Sequence, residues 1–199
     1  ICHQFNCPEL AKKAVYYLDL NLSENNVLEI YKNLQFLCNN LPSAPSLDNN
    51  NSVYSATKRH EIEQICNPLL HNCLIIIDEH IQKLISHNED IFELCYQDLL
   101  LVLQRDTLKS SSELELFSLI EKWSACECKK QNLVINVQNR RDVLQFLLFS
   151  IRYGTLSKSE FLHSEISRSG LLTAEQYQTI VQVIEDGNRS TANVKNAGQ

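Results

Sequence analysis

Apolar residues recur three or four positions apart along most of this chain of 199 residues. Side chains with that spacing lie on one face of an α-helix, so each such segment can bury an apolar stripe. One stripe places Phe117 and Trp123, the only tryptophan, in the predicted core. The 4 glycines and 4 prolines are too few for the turns of an all-β fold or for a glycine-rich phosphate loop. The sequence therefore predicts an all-α fold.

Local signals place the ends of about eight predicted helices. Pro8 suits a first helical turn, Ser23 is an N-cap residue, and Gly154 ends a helix. Three capping boxes are predicted at Ser110 with Glu113, Ser157 with Glu160, and Thr173 with Gln176. The predicted helices span about residues 8–21, 24–38, 62–84, 96–103, 112–128, 137–151, 157–166 and 173–184. Because short connections make consecutive helices antiparallel, the predicted architecture is an elongated stack of antiparallel helical hairpins.

Two segments lack this periodicity, and one helix contains a breaker. Residues 39–58 are rich in Asn, Ser and Pro, and they are predicted to form a flexible loop. Residues 186–199 are predicted to be a linker or a disordered tail. Pro68 is predicted to kink the third helix or to mark a restart capped by Asn67.

Composition narrows the classes of partner. The net charge of −6 and the pI near 5.5 argue against a nucleic-acid partner, which requires clustered basic residues. No membrane span is expected, because the apolar run at residues 73–77 is far shorter than the roughly 20 residues needed. Most of the 8 cysteines lie inside helical patterns, which predicts reduced thiols in a cytoplasmic or nuclear protein. The chain begins with Ile-Cys-His and no signal region, and we interpret it as an internal fragment.

The cysteines and histidines do not form a metal-binding pattern. Cys126 and Cys128 are two positions apart and point to different faces of a helix. The spacing of Cys66, His71 and Cys73 does not fit a zinc ribbon or finger. We therefore expect no metal and no cofactor.

The clusters of charged residues are also predicted to have structural rather than catalytic roles. Residues 78–80, Asp-Glu-His, are predicted to form a solvated helix face, because an active site needs convergent groups. Arg105 and Asp106 are predicted to tie a helix end to its neighbour by an ion pair and a cap. Arg140 and Arg141 could meet an acidic partner, but exposed helix arginines usually meet only water, which is the prediction here. The chain is therefore not expected to be an enzyme.

Several short motifs follow one another between about Leu20 and Leu172. They are Ser23–Tyr31, Leu99–Leu108, Glu115–Phe117, Trp123, Glu127-Cys128, Arg140-Arg141, Ile151–Leu156 and Ser169–Leu172. In this order they resemble the region that follows a BTB/POZ domain, namely the three-box and the BACK domain. The helix at residues 11–15 is similar to the last helices of the BTB fold itself. The resemblance thus divides the chain into the end of a BTB/POZ domain (1–21), a three-box and BACK helical domain (22–185) and a linker (186–199).

Two features depart from that family. The loop at residues 39–58 is longer than the usual connection, and no Kelch-type repeat follows Gly187. The chain is therefore more similar to BTB-BACK proteins that carry another module or none.

The resemblance implies a substrate adaptor of a cullin-three RING ubiquitin ligase. Such a protein would bind the amino-terminal domain of cullin-three, hold an unknown protein substrate, and form a homodimer through an upstream BTB domain. On this hypothesis the second helix lines the cullin groove with Val27, Ile30, Tyr31 and Leu34. The same stripe is equally compatible with plain core between the first two helices, because a wide stripe can pack inward.

Two other functions remain open at this stage. A BTB-BACK protein could instead be a self-associating structural or transcriptional scaffold with no ligase role. An α-helical metal-dependent hydrolase is the third class, and it depends only on the scattered His, Asp and Cys residues.

Overall fold

A computed structural model describes residues 8–39 and 52–196, and the side chains of residues 9–37 and 60–187. These ranges contain α-helices, short 3₁₀ helices and no strand, which confirms the all-α prediction. The α-helices are α1 (Pro8–Leu20), α2 (Val27–Asn39), α3 (Ser52–His87), α4 (Tyr96–Leu103), α5 (Glu113–Lys130), α6 (Val137–Leu144), α7 (Lys158–His163), α8 (Glu165–Arg168) and α9 (Ala174–Asn196). The 3₁₀ helices are Glu89–Glu93, Gln145–Ser150 and Tyr153–Thr155.

The first of two compact units contains α1, α2 and α3, and extends through Asp98 with the segment Thr107–Lys109 added. A turn stapled by Asn26 starts α2, because the Asn26 amide accepts from the Ser23 N–H at 2.8 Å and donates to the Asn21 carbonyl at 2.9 Å. Both α1 and α2 pack against α3. The core of this unit includes Leu28, Tyr31, Leu69, Cys73, Ile77, Ile81, Leu84, Ile91 and Leu94.

The second unit contains Leu99–Asp106 and the chain from Ser110 onward. Helix α5 is central to it, since both α6 and α8 pack against α5. Phe117 and Trp123 on α5 are buried, which confirms that part of the predicted core. Helix α9 packs against α7 and against the 3₁₀ helix Tyr153–Thr155.

Two of the three predicted capping boxes are confirmed. The Ser157 N–H donates to Glu160 at 2.8 Å, and the Glu160 N–H donates back to the Ser157 hydroxyl at 3.2 Å. Thr173 and Gln176 make the same reciprocal pair. At α5 the prediction is wrong by two residues, because Ser112 rather than Ser110 is the N-cap and accepts from the Leu114 N–H at 3.1 Å.

The predicted loop and tail are shorter than the composition suggested. Helix α3 already begins at Ser52, so the last part of the predicted 39–58 loop is helical, and residues 40–51 lie outside the described chain. Helix α9 continues to Asn196, so most of the predicted 186–199 tail is helical as well. Gly187 lies inside this helix, where a glycine costs only about 1 kcal/mol relative to alanine and does not force an end.

The break in α3 lies at His80 rather than at the predicted Pro68. The helix continues through Pro68, whereas His80 has non-helical angles of φ −116° and ψ 15°. Two positions earlier, the Asp78 carbonyl accepts a hydrogen bond from the Lys109 N–H at 2.9 Å, outside the helix. A donor from outside the helix thus bonds a helical carbonyl close to the residue where the backbone departs from helical geometry.

The predicted helix over 137–151 is divided. Helix α6 ends at Leu144, and Gln145 has a positive φ of 42° before the chain continues as a 3₁₀ helix. The predicted core stripe is nevertheless buried across the division: Val143, Leu144, Leu147, Leu148 and Ile151.

Candidate partner-binding surfaces

The four residues predicted to line a groove on α2 lie in the core of the first unit. Val27, Ile30, Tyr31 and Leu34 are each less than a tenth exposed, on a helix that packs against α3. The Tyr31 hydroxyl accepts a hydrogen bond from the Gln35 amide at 3.3 Å. This burial matches the alternative that the stripe is core, and direct contact of the four with a partner stays a prediction.

The exposed side of α2 contains a different aromatic residue. Phe36 is 69% exposed, and Glu29 and Asn33 are exposed with it. These three positions have the i, i+4, i+7 spacing of one helical face. An aromatic side chain on a solvated helix face is a natural anchor for a protein partner.

Helix α1 presents the larger apolar surface of this unit. Leu10, Tyr16, Tyr17 and Leu20 are all more than half exposed, and they lie within about a third of the helix circumference. We call these four residues the α1 face. The sequence predicted a helix over about 8–21 without assigning the side that packs inward.

The opposite side of α1 faces α3. Ala11, Val15 and Asp19 are partly buried at i, i+4 and i+8. The Asp19 carboxylate accepts a hydrogen bond of 2.7 Å from the Asn72 amide on α3. This contact fixes the rotation of α1 and directs the α1 face away from α3.

The acidic residues near the break in α3 are held by other segments. Asp78 is buried and accepts a 2.6 Å hydrogen bond from the Thr107 hydroxyl, so the predicted solvated face is wrong at this residue. Glu79 is exposed and pairs with Lys109 at 2.9 Å, which lowers the pKa of its carboxyl. His80 Nδ1 lies 3.3 Å from a carboxylate oxygen of Glu24, which belongs to the turn that starts α2.

Arg152 joins three segments of the second unit. Its guanidinium donates to the Arg105 carbonyl at 2.7 Å, and its backbone N–H donates to the Glu113 carboxylate at 3.0 Å. The Arg105 end of α4 and the first turn of α5 are thereby linked to the Tyr153–Thr155 helix. The buried Tyr153 hydroxyl donates to the Leu148 carbonyl at 2.8 Å, and burial raises its pKa. Asp106, the second residue of the predicted cap, is exposed.

Arg140 is not the water-exposed side chain that was predicted. Only 16% of it is exposed, and its Nε donates to the buried Ser124 hydroxyl at 3.0 Å. Its Nη2 donates to the Glu121 carbonyl at 2.9 Å and lies 3.2 Å from the Glu121 carboxylate. Arg140 therefore fastens α6 to α5, whereas the half-buried side chain of Arg141 makes no hydrogen bond or ion pair in the described part of the chain.

The five cysteines whose side chains the structure describes are free thiols: Cys66, Cys73, Cys95, Cys126 and Cys128. Burial and the Asp19 carboxylate raise the pKa of Cys73 to about 12. Burial also raises the pKa of Cys128 and of Cys95. A thiol is nucleophilic only as thiolate, so these three are poor nucleophiles at neutral pH. Cys126 is half-buried two positions before Cys128.

No group of three or more His, Cys, Asp and Glu side chains in the described residues is arranged to hold a metal ion. The search for membrane spans, over the same residues, gives no helix of sufficient length and apolar character.

Comparison with known proteins decides the family. The family model described as BACK, BTB And C-terminal Kelch, matches residues 53–165, more than half of the chain. The chain belongs to the BACK family. The BACK match begins near the start of α3 and ends at the first residue of α8, so α1 and α2 precede it.

Relatives of this BACK domain include BTB/POZ domain-containing protein 3 of Homo sapiens, 30% identical over 112 residues, which are 56% of this chain and 21% of that protein. BTB/POZ domain-containing protein 6 of Xenopus tropicalis is 31% identical over 108 residues, 54% of this chain and 20% of that protein. Protein 6-B of Danio rerio is 33% identical over 104 residues, 52% and 21% respectively. The chain thus matches about a fifth of the length of these relatives. No solved structure matches it.

Sequence reasoning missed the exposed aromatic residues before the BACK match. Tyr16 and Tyr17 are adjacent, so their side chains lie about 100° apart and cannot both point into one core contact. That signal predicts at least one exposed tyrosine on α1. Phe36 lies outside the i, i+3, i+4, i+7 stripe that begins at Val27, and this placement also indicated exposure.

Proposed function

We propose that this chain is the helical part of a non-enzymatic substrate adaptor for a cullin-three RING ubiquitin ligase. Membership of the BACK family and the BTB/POZ-containing relatives support a role in protein–protein interaction. The proposal adds the amino-terminal domain of cullin-three as one partner and an unidentified protein substrate as another. The proposal also includes an upstream BTB domain that forms a homodimer. It assigns the protein to the cytoplasm or nucleus.

The observation that carries this proposal is the exposed apolar surface of the helices before the BACK match. The α1 face contributes two tyrosines and two leucines, and α2 contributes Phe36. Aromatic residues are enriched among those that dominate binding energy at protein interfaces. Exposed aromatic residues on two helices of a 199-residue acidic chain fit a module that is completed by protein partners.

The buried α2 residues have an indirect part in this proposal. These residues pack inward and hold α2 against α3: Val27, Ile30, Tyr31 and Leu34. Phe36 lies on the outer side of the same helix. Truncating Tyr31 would therefore weaken partner binding by displacing α2, and truncating Phe36 would weaken it by removing contact area.

Calorimetric titration of the cullin-three amino-terminal domain into the full-length protein tests the proposal. We expect a measurable heat of binding and a loss of about tenfold in affinity, about 1.4 kcal/mol, for Phe36→Ala or Tyr17→Ala. Phe146→Ala is the matched control, because Phe146 is 67% exposed in the second unit, against 69% for Phe36. Thermal unfolding of each variant separates lost contact from lost fold.

Absence of binding at tens of micromolar cullin domain would refute the adaptor and favour the self-associating scaffold. Equal affinities for Phe36→Ala, Tyr17→Ala and Phe146→Ala would leave cullin binding intact but contradict its placement on α1 and α2. Loss of binding only in Tyr31→Ala, with the fold retained, would return the groove to the inner side of α2.

A further inference from the structure

The connection between α5 and α6 exposes apolar side chains in the second unit. Leu133, Val134, Ile135 and Val137 lie within five positions, and all four are exposed, Val134 to 74%. We call these four residues the apolar loop. Isolated exposed apolar residues are ordinary, but a continuous group of this kind is typical of an interaction site.

The apolar loop is fixed by hydrogen bonds at both ends. Asn132 adopts a φ of 55°, and the Leu133 N–H donates to the Cys128 carbonyl at 2.8 Å. The Asn139 amide donates to the Val134 carbonyl at 2.8 Å, and Asn136 caps α6. The loop conformation is thus set before any partner arrives, which lowers the entropic cost of binding.

Gly170 marks the segment against which the apolar loop rests. A Cβ at Gly170 would lie 3.6 Å from a methyl group of Val137, so the Gly170 backbone lies next to this side chain. Gly170 has a φ of 69°, which a residue with a Cβ rarely adopts. One side of Val137 is therefore supported, while the other side chains of the loop face outward.

The charge around the apolar loop is opposite in sign to that of the chain as a whole. The chain carries a net charge of −6, yet four basic residues and no acidic one lie between Glu127 and Asp142. Arg140 is paired with Glu121, whereas Lys129 is exposed at the end of α5, and Arg141 is half-buried. The two flanking carboxylates accept hydrogen bonds from Gln131 and Gln138, each at 2.8 Å.

We propose that the apolar loop is a docking surface for a segment of another protein that carries apolar side chains flanked by Asp or Glu. The apolar residues would bury the partner's side chains, and Lys129 would pair with one of its carboxylates. A second copy of this chain is disfavoured as the occupant, since it would bring the Lys129 side chains of both copies together. This proposal does not depend on cullin binding, which is assigned to the first unit.

Selection from a phage-displayed library of random short peptides on the immobilised chain tests this inference. We expect enriched peptides to combine apolar residues with a net negative charge. Synthetic copies, titrated by fluorescence anisotropy, should bind Val134→Asp and Lys129→Glu at least about tenfold more weakly than the original chain.

Two matched controls accompany these variants. Lys122 lies on α5 seven positions before Lys129, hence on the same side of the helix, and it is also exposed. Lys122→Glu changes the net charge equally and should alter affinity by less than about twofold. Val183→Asp alters an exposed valine on α9, 54% exposed, and should also leave binding unchanged.

Three outcomes would overturn the inference. The first is that no peptide is enriched. The second is that the enriched peptides lack acidic residues, or bind the Val134→Asp variant as tightly as the original chain. The third is a concentration-dependent dimer in sedimentation that Val134→Asp abolishes, because the loop would then contact a second copy.

Discussion

Replacing Arg140 by methionine should destabilise the second unit by about 2 kcal/mol. The change keeps a long, flexible side chain but removes the hydrogen bonds to the Ser124 hydroxyl and the Glu121 carbonyl, and the ion pair with the Glu121 carboxylate. Each hydrogen bond from a charged donor contributes about 1.5–3 kcal/mol. The ion pair adds about 1 kcal/mol at most, because Glu121 is 25% exposed.

The expected value lies below the sum of these contributions for two reasons. The Ser124 hydroxyl keeps its own hydrogen bond to the Glu121 carbonyl at 2.6 Å, so it is not left without a partner. Removing the guanidinium also recovers the cost of having desolvated it. About 2 kcal/mol corresponds to a fall of about 1 M in the urea midpoint at a typical slope of about 2 kcal/mol per molar.

Urea unfolding, monitored by tryptophan fluorescence, measures this loss of stability with a probe on α5 itself. Trp123 is the only tryptophan, is buried in α5, and precedes Ser124 directly. Arg141→Met is the control, because Arg141 follows in sequence and its side chain makes no hydrogen bond or ion pair in the described part of the chain. Equal midpoints for Arg140→Met and Arg141→Met would refute the assignment of Arg140 as the fastening between α5 and α6.

Two further predictions concern glycines and pH. Gly170→Ala should destabilise the chain by about 1 kcal/mol or more, because φ is 69° at this position. Gly187→Ala should stabilise it by about 0.5–1 kcal/mol, because Gly187 lies inside α9 and has open space for a Cβ. Equal shifts of the melting temperature in the two variants would contradict both predictions. The unfolded Cys73 thiol titrates near 9.0, but the folded one retains its proton to about 12. Stability should therefore fall as pH rises between these values, and fall less in Cys73→Ala, as measured by circular dichroism in urea; identical pH slopes would exclude burial of this thiol.

Local rules explain most of the helical framework. Spacing of apolar residues located α2, α5 and the buried stripe from Val143 to Ile151, because a helix that packs on one side repeats every 3.6 residues. The capping boxes at Ser157 and Thr173 could be predicted equally well from the sequence, because their hydrogen bonds span only three residues.

Contacts between distant residues explain what local rules missed. Asp78 is buried because Thr107, 29 positions away, donates to it, and Arg140 is buried because Ser124 lies 16 positions earlier. Nothing within a helical turn of either residue signals these partners. The inward side of α1 could not be predicted for a related reason: periodicity identifies an apolar stripe, but only the Asp19 contact with Asn72 shows which side faces α3.

The most direct measurement of the adaptor proposal is the dissociation constant of the full-length protein for the amino-terminal domain of cullin-three, with Phe36→Ala and Phe146→Ala measured beside it. The proposal predicts binding that Phe36→Ala weakens by about tenfold and Phe146→Ala leaves unchanged. No detectable binding of the unaltered protein at tens of micromolar would contradict it.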